Sequence, residues 1–295
     1  MPETSIIIRT FNEEKHIGNL LRAIKEQDHR DYEIIVVDSG STDNTLKIAK
    51  NFTDNILEID SKDFTFGYSL NKGCQQSQGK YIVLVSAHTL PVDNQWLKNL
   101  LAPFEDEKVA MVYGRQFGAQ ESKFSEKRDF QRLYSASSFN SELYPYFANN
   151  ANSAIRKDIW QKHPFDEYLL GLEDIEWAKH AAEKGFLIHY KPEAAIYHIH
   201  TEKWYQVFNR YRREAIAAAR IGLPHPPQAR TNYFWLINNL FQDFIASLPN
   251  VSLARIEEIV RFRYYQWKGT RQGWNYDKDI DLEREKYTLY YPTNK

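Results

Sequence analysis

The residues able to do chemistry gather in short clusters. Near the start, Arg9-Thr10-Phe11-Asn12-Glu13-Glu14 follows one apolar run, and Asp38-Ser39-Gly40-Ser41-Thr42-Asp43 follows another. A carboxylate such as Asp38 at a strand end accepts hydrogen bonds from a ribose or a base. Dinucleotide folds use one in the same way, so Asp38 alone leaves both readings open. The first turn separates them. A dinucleotide site needs glycines where the backbone meets a pyrophosphate. Here the turn carries Asn12, Glu13 and Glu14, which are bulky or acidic and repel phosphate. The same residue types also cap helices. Downstream, Ser86-Ala87-His88 and Tyr197-His198-Ile199-His200 supply imidazoles, and alternation along an extended segment would set His198 and His200 on one face. Gly171-Leu172-Glu173-Asp174-Ile175-Glu176-Trp177 places carboxylates where a helix begins, which its dipole favours whether or not they react. Asn149-Asn150-Ala151-Asn152 reads by residue type as a turn.

These clusters need elements to position them. Residues 5–9 (SIIIR), 33–37 (EIIVV), 56–59, 81–85 (YIVLV) and 109–113 read as buried strands. Between them, Ile17, Leu20, Leu21 and Ile24 recur at helical spacing, residues 41–44 can cap a helix beginning near Thr45, and residues 68–77 read as a further helix. Strands separated by helices of this length predict an α/β fold: a mostly parallel, Rossmann-like sheet with helices on both faces. Ligands in such sheets bind beyond the carboxyl ends of the strands, which selects residues 10–14, 38–43 and 86–91. After about residue 200 the segments 204–220, 232–247 and 253–267 read as helices, and Pro224, Pro226 and Pro227 as a linker. The expected organisation is a catalytic domain over 1–200, its halves meeting near 115, and a helical region over 201–295.

Composition narrows the classes. Hydrophobic residues make up 42%, enough for a sizeable core, and 38 Lys plus Arg balance 39 Asp plus Glu. No global field recruits nucleic acid. The aromatic share of 15% suits sugar and base stacking, and equally core filling. Cys74 is the sole cysteine, so no internal disulfide forms and a reducing, cytoplasmic compartment is expected. No secretory leader precedes the first apolar run, and no stretch reaches the ~18 apolar residues of a membrane span. The C-terminal helices mix Phe234, Trp235, Ile237 and Phe241 with Arg255, Arg261, Lys268 and Arg271. Two readings stand: packing on the catalytic domain or on a second copy as a homodimer, or a peripheral contact with the inner face of a membrane.

The opening T-x-N-E-E, the segment VVDSGSTDNT and the spacing between them resemble family-2 glycosyltransferases of the GT-A fold, over about residues 4–200. The resemblance implies inverting transfer of a sugar from a nucleoside-diphosphate sugar to a glycan or lipid-linked glycan hydroxyl, in surface polysaccharide or glycolipid assembly. It implies that Thr10, Asn12, Glu14 and Asp38 hold the nucleoside, with Ser41 or Asp43 nearby, and that Asn71 in FGYSLNKG lies against it. Where the family presents Asp-x-Asp for a divalent cation, this chain has Ser86-Ala87-His88. Two readings follow. Either His88 takes the carboxylate's place, joined by His198 or His200, favouring Mn²⁺ over Mg²⁺, or no metal binds and His88 meets the diphosphate directly. Glu173-Asp174 resembles the family's acceptor motif, which makes Asp174 the general base and Glu173 its companion. Asn149 and Asn150 match the acceptor-proximal loop, and Trp177 serves either as a sugar platform or in the core. The competing functions are a catalytically silent member of the same fold that binds nucleotide or glycan, and a nucleotidyltransferase. The latter would favour a Gly- and Lys/Arg-rich loop after the first strand.

Overall fold

The computed structural model describes residues 1–136, 145–223, 231–276 and 289–290. The chain forms two compact units, one of Met1–Ala119, Leu133–Leu169 and Glu173–Ile199, the other of Gln120–Arg132, Leu170–Leu172 and His200–Lys295.

The first unit is built on one sheet. Its strands are β1 (Thr4–Thr10), β2 (Tyr32–Asp38), β3 (Ile56–Glu58), β4 (Tyr81–Ser86), β5 (Thr89–Pro91), β6 (Val109–Gly118), β7 (Asn152–Arg156) and β8 (Leu187–His198). They run in the order β3-β2-β1-β4-β7-β6-β8-β5. Across both units the described α-helices are α1 (Ile17–Lys25), α2 (Thr45–Ala49), α3 (Phe66–Gln76), α4 (Trp96–Leu101), α5 (Phe124–Leu133), α6 (Lys157–Trp160), α7 (Glu173–Glu183), α8 (Trp204–Ile221), α9 (Tyr233–Ser247) and α10 (Leu253–Trp274).

The β-branched runs form strands because both their faces are covered. Ile6, Ile8, Val36, Val83 and Val85 pack with residues of α1 and α4. The opposite face carries Ile7 and Val37, which meet α3 at Gly73. The parallel expectation holds for β3-β2-β1-β4 and for β6 with β8. It fails at β7, which runs antiparallel to both β4 and β6, and at β5, antiparallel to β8. The sheet is therefore mixed. β1, β2 and β4 end together, with Thr10 beside Asp38 and Arg9 beside Ser86.

The second unit is helical. α8, α9 and α10 take up the three expected segments, with α10 continuing to Trp274. The Asn232 and Ser252 side chains cap α9 and α10 by accepting the Trp235 and Arg255 N–H. The unit does not begin at 201, as the sequence suggested, because residues of α5 belong to it. Asp129 of α5 accepts a two-pronged hydrogen bond from the buried Arg263 of α10, at 2.7 and 2.8 Å. Arg263 also donates to Asp243 of α9, 2.7 Å away. The expected proline linker lies outside the described residues. No described helix is long and apolar enough to cross a membrane.

Candidate active site

The loops after β1 and β2 are latched to each other. The Asn12 N–H donates to Ser41 Oγ (2.8 Å), the Thr42 N–H to Asn12 Oδ1 (2.8 Å), and the Glu14 N–H to Asp43 Oδ2 (3.2 Å). Glu14 in turn accepts from the Asn44 N–H and side-chain amide. Asn12 sits at φ 55°, a left-handed turn that asparagine tolerates better than most residues. Asp38 is fully buried. Its carboxylate accepts the Gly40 and Ser41 N–H groups (3.0 and 2.8 Å) and the Ser41 hydroxyl (2.5 Å). The residues expected to hold a nucleoside thus first hold one another, which fixes the loop that a ligand would meet. Thr10, at the end of β1, keeps a buried hydroxyl with no hydrogen-bond partner in the structure. Ser86 ends β4, and its carbonyl accepts the Thr89 hydroxyl.

His88 follows directly. Its Nδ1 lies 2.6 Å from Glu13 Oε1. A carboxylate accepts, so the ring donates through Nδ1 and keeps Nε2 as the nitrogen with a lone pair to offer. β5 pairs with the end of β8, which brings Thr89 opposite His198. The two imidazoles stack, ring centroids 5.0 Å apart and 18° from parallel. A ring nitrogen of each lies within 4.8 Å of the other. His198 is buried, with Nδ1 2.8 Å from Gln116 Oε1. This donor set fits a divalent transition ion: two imidazoles, each with its Nδ1 tied to an oxygen that fixes the ring. Sequence reading had singled out His88 and His198 but passed over Glu13 as a partner, because only the fold brings it to a residue 75 positions away.

β8 stops at His198, and His200 belongs to the second unit. Its Nδ1 lies 2.7 Å from Glu126 Oε1. The Arg210 guanidinium donates to both Glu126 and Glu202, and so fills the place a cation would take among those carboxylates.

A second cluster forms at the start of α7. Glu173 and Asp174 are both buried. Asp174 Oδ2 accepts the Asn150 N–H (3.0 Å) and Oδ1 accepts the Ile175 N–H (2.8 Å). The Asn150 amide reaches Glu173 Oε1 at 3.4 Å, and its oxygen accepts the Ser153 hydroxyl. Burial, followed by the charge of Glu173, pushes the Asp174 carboxyl up to about 8, against the pull of its two N–H donors and of Arg9. Asn149 accepts the Ala151 N–H and closes the turn before β7. The loop before β7 and the start of α7 thus come together.

One expectation is corrected, and of the two readings of Trp177 the core one holds. Asn71 is not offered to a nucleotide. Its amide donates to Phe165 O (2.9 Å) and Glu167 Oε1 (2.8 Å), and its oxygen accepts the Trp160 indole N–H and the Phe165 N–H, both at 3.0 Å. All four of its hydrogen-bonding positions are used within the protein. It clamps the 165–167 loop onto α3, where a Cβ at Gly67 would run into the Asp166 carbonyl. Trp177 is no sugar platform. It is buried beside Phe165, and its N–H donates to His163 O (2.7 Å).

Comparison with known proteins bears on the family and the fold. Residues 5–163, more than half of the chain, match the family described as Glycosyl transferase family 2. The O-antigen chain rhamnosyltransferase WbaN of Salmonella anatum is 27% identical over 230 residues, covering 72% of this chain and 70% of that protein. The GalNAc(5)-diNAcBac-PP-undecaprenol beta-1,3-glucosyltransferase of Campylobacter jejuni is 27% identical over 199 residues, 64% of this chain and 63% of that one. Among solved structures, a mannosyltransferase from Pyrobaculum calidifontis in complex with GDP-Man and Mn²⁺ shares the fold. Its TM-score is 0.64 at 16% identity, over 94% of this chain and 88% of that one.

Proposed function

We propose, from the premise that this chain belongs to glycosyl transferase family 2, that it moves a sugar from a nucleoside-diphosphate sugar to a hydroxyl of a glycan or lipid-linked glycan. The sugar inverts at the anomeric carbon, and the product enters a surface polysaccharide or glycolipid. The supporting observation is Asp174. A buried carboxylate, anchored by two main-chain N–H groups at a helix start and raised toward neutrality, is suited to general-base work.

In the ionised form, Asp174 takes the proton of the acceptor hydroxyl. The acceptor oxygen forms its bond to the anomeric carbon as the bond to the nucleoside diphosphate breaks on the opposite face, which inverts the configuration. Asn150 and Ile175 hold the carboxylate so that little reorientation is needed at that moment. Glu173 keeps Asn150 in place from the other side. The latched loops carrying Asn12, Asp38 and Ser41, with the Thr10 hydroxyl, present the wall for the nucleoside. His88 and His198 would hold a divalent cation, and their imidazole nitrogens suit Mn²⁺ better than Mg²⁺. When bound, such an ion supplies positive charge for the departing diphosphate.

A thermal-shift titration with nucleoside diphosphates, with and without Mn²⁺, tests this reading, since a ligand specific to the native state raises the melting point. One nucleoside diphosphate should stabilise the protein, and more so with Mn²⁺. No shift with any of them would refute it.

A further inference from the structure

The helix α9 is turned inside out. It carries one charged residue, Asp243, and that residue is 0% exposed. Asp243 is held by Arg263 of α10 (2.7 Å) and Arg128 of α5 (3.0 Å), and Asn239, one turn earlier, accepts from Arg132 (2.9 Å). Ser247, a turn later, is buried on the same side. Asn239, Asp243 and Ser247 form the stripe that faces the protein, at the four-residue spacing of one helix face. The other side carries Phe234, Ile237, Phe241, Phe244 and Leu248, all exposed, with Phe234 at 80%. Soluble helices place these stripes the other way round. Here the helix cannot roll over to hide its aromatics, because rolling would strip the buried Asp243 of its guanidinium partners and take from Arg263 one of its two carboxylates.

We propose that this outward face of α9 docks on an anionic lipid surface. Its apolar residues continue past the helix into Val251 and Leu253, both exposed, so the patch runs the length of the helix and around its end. The edge of the patch on α10 is aromatic and basic. Arg271 lies over the rings of Tyr233 and Trp267, each at 5.4 Å, and Lys268 over Tyr264 at 5.6 Å. Arg261 is paired with Glu257 at the same exposed surface. Aromatic rings at the headgroup level, apolar chains below them and basic groups beside them are the composition of an interfacial helix. A second copy of the chain meeting this face through its own α9 offers Lys268 and Arg271 no acidic partner, since the charged residue of that helix, Asp243, is buried. Phosphate headgroups complement them instead. The observations stand whether or not the acceptor of the transfer reaction is lipid-linked.

The test is co-sedimentation of the full chain with vesicles, either phosphatidylcholine alone or phosphatidylcholine with phosphatidylglycerol, in low salt and in about 0.5 M salt. Binding should require phosphatidylglycerol and weaken with salt. The double variant Phe234→Ser, Phe241→Ser should lose at least about tenfold in vesicle affinity, from the lost apolar burial. Its melting temperature should not fall, since both rings are already exposed. Failure of the wild type to bind anionic vesicles, or unchanged binding by the variant, would overturn the proposal. So would a wild type that elutes as a dimer and a variant that elutes as a monomer, which would give the face to a second copy.

Discussion

At the scale of single residues, two carboxylates carry the proposed chemistry through what holds them. Asp174 sits at the start of α7 with its carboxyl raised to about 8 by burial and by Glu173. A general base acts ionised, so kcat/KM should rise with pH toward and through that range, far above where an ordinary carboxylate titrates. The same shift bears on stability with the opposite sense. The native state keeps a proton that the unfolded chain releases near pH 4, so this contribution is complete at low pH and is lost as pH rises through about 8. Asp174→Asn should keep its affinity for nucleoside diphosphate, lose about 10²-fold or more in turnover and lose the rising limb of the pH profile. Near-normal turnover would remove Asp174 from the mechanism. In the proposed site Glu13 acts through His88. Glu13→Ala should weaken Mn²⁺ binding by about 10 to 100-fold, with Glu13→Gln retaining part of it through an amide oxygen that still accepts from Nδ1. Equal Mn²⁺ titrations of Glu13→Ala and the wild type would show that His88 needs no such support. Neither the partner of Glu13 nor that of Asp174 was visible in the sequence. The residue types were legible, but their hydrogen bonds cross 75 and 24 positions, distances only the folded sheet closes.

Elements were legible where one local rule governed them. Runs such as Ile6-Ile7-Ile8 and Tyr81-Ile82-Val83-Leu84-Val85 read as buried strands because β-branched and apolar side chains suit a sheet covered on both faces. β8 carries Lys191, Pro192 and Glu193 within it and offers no such run. Parallel pairing with β6, not local preference, makes it a strand. Asn71 shows the same limit from the opposite side. Its motif pointed to a ligand, yet the four bonds it makes join α3 to the loop at residues 165–167. Asn71→Leu, close in volume, would leave the Trp160 and Phe165 N–H groups buried without acceptors, at about 1 to 3 kcal/mol each. Chemical denaturation should therefore show a loss of several kcal/mol, while nucleotide affinity of the folded fraction changes little. A variant as stable as the wild type but unable to bind nucleotide would return Asn71 to the donor site.

For the whole molecule, the division into two units follows from charges as much as from apolar packing. Arg263 is fully buried and is neutralised by Asp129 and Asp243, which gathers part of α5, α9 and α10 into one body. The sequence showed helices after about residue 200, but it could not show that residues 120–132 join them, since nothing local marks Asp129 as the partner of Arg263. The same arrangement leaves α9 with its apolar side outward. In the other unit, the latched loops, the His88–His198 pair and the Glu173–Asp174 pair all belong to one sheet and its helices, and the sheet rule had directed attention to the loops and to His88 but not to His198 or Glu173–Asp174.

The measurement that bears most directly on sugar transfer is turnover of the donor. The chain is incubated with Mn²⁺ and each of a panel of nucleoside-diphosphate sugars in turn, and released nucleoside diphosphate is quantified by chromatography. One donor should release nucleoside diphosphate slowly to water and faster when a glycan acceptor is added, with both rates falling together in Asp174→Asn. Wild-type protein that binds a nucleoside diphosphate yet releases none from any donor, with or without acceptor, would contradict the account.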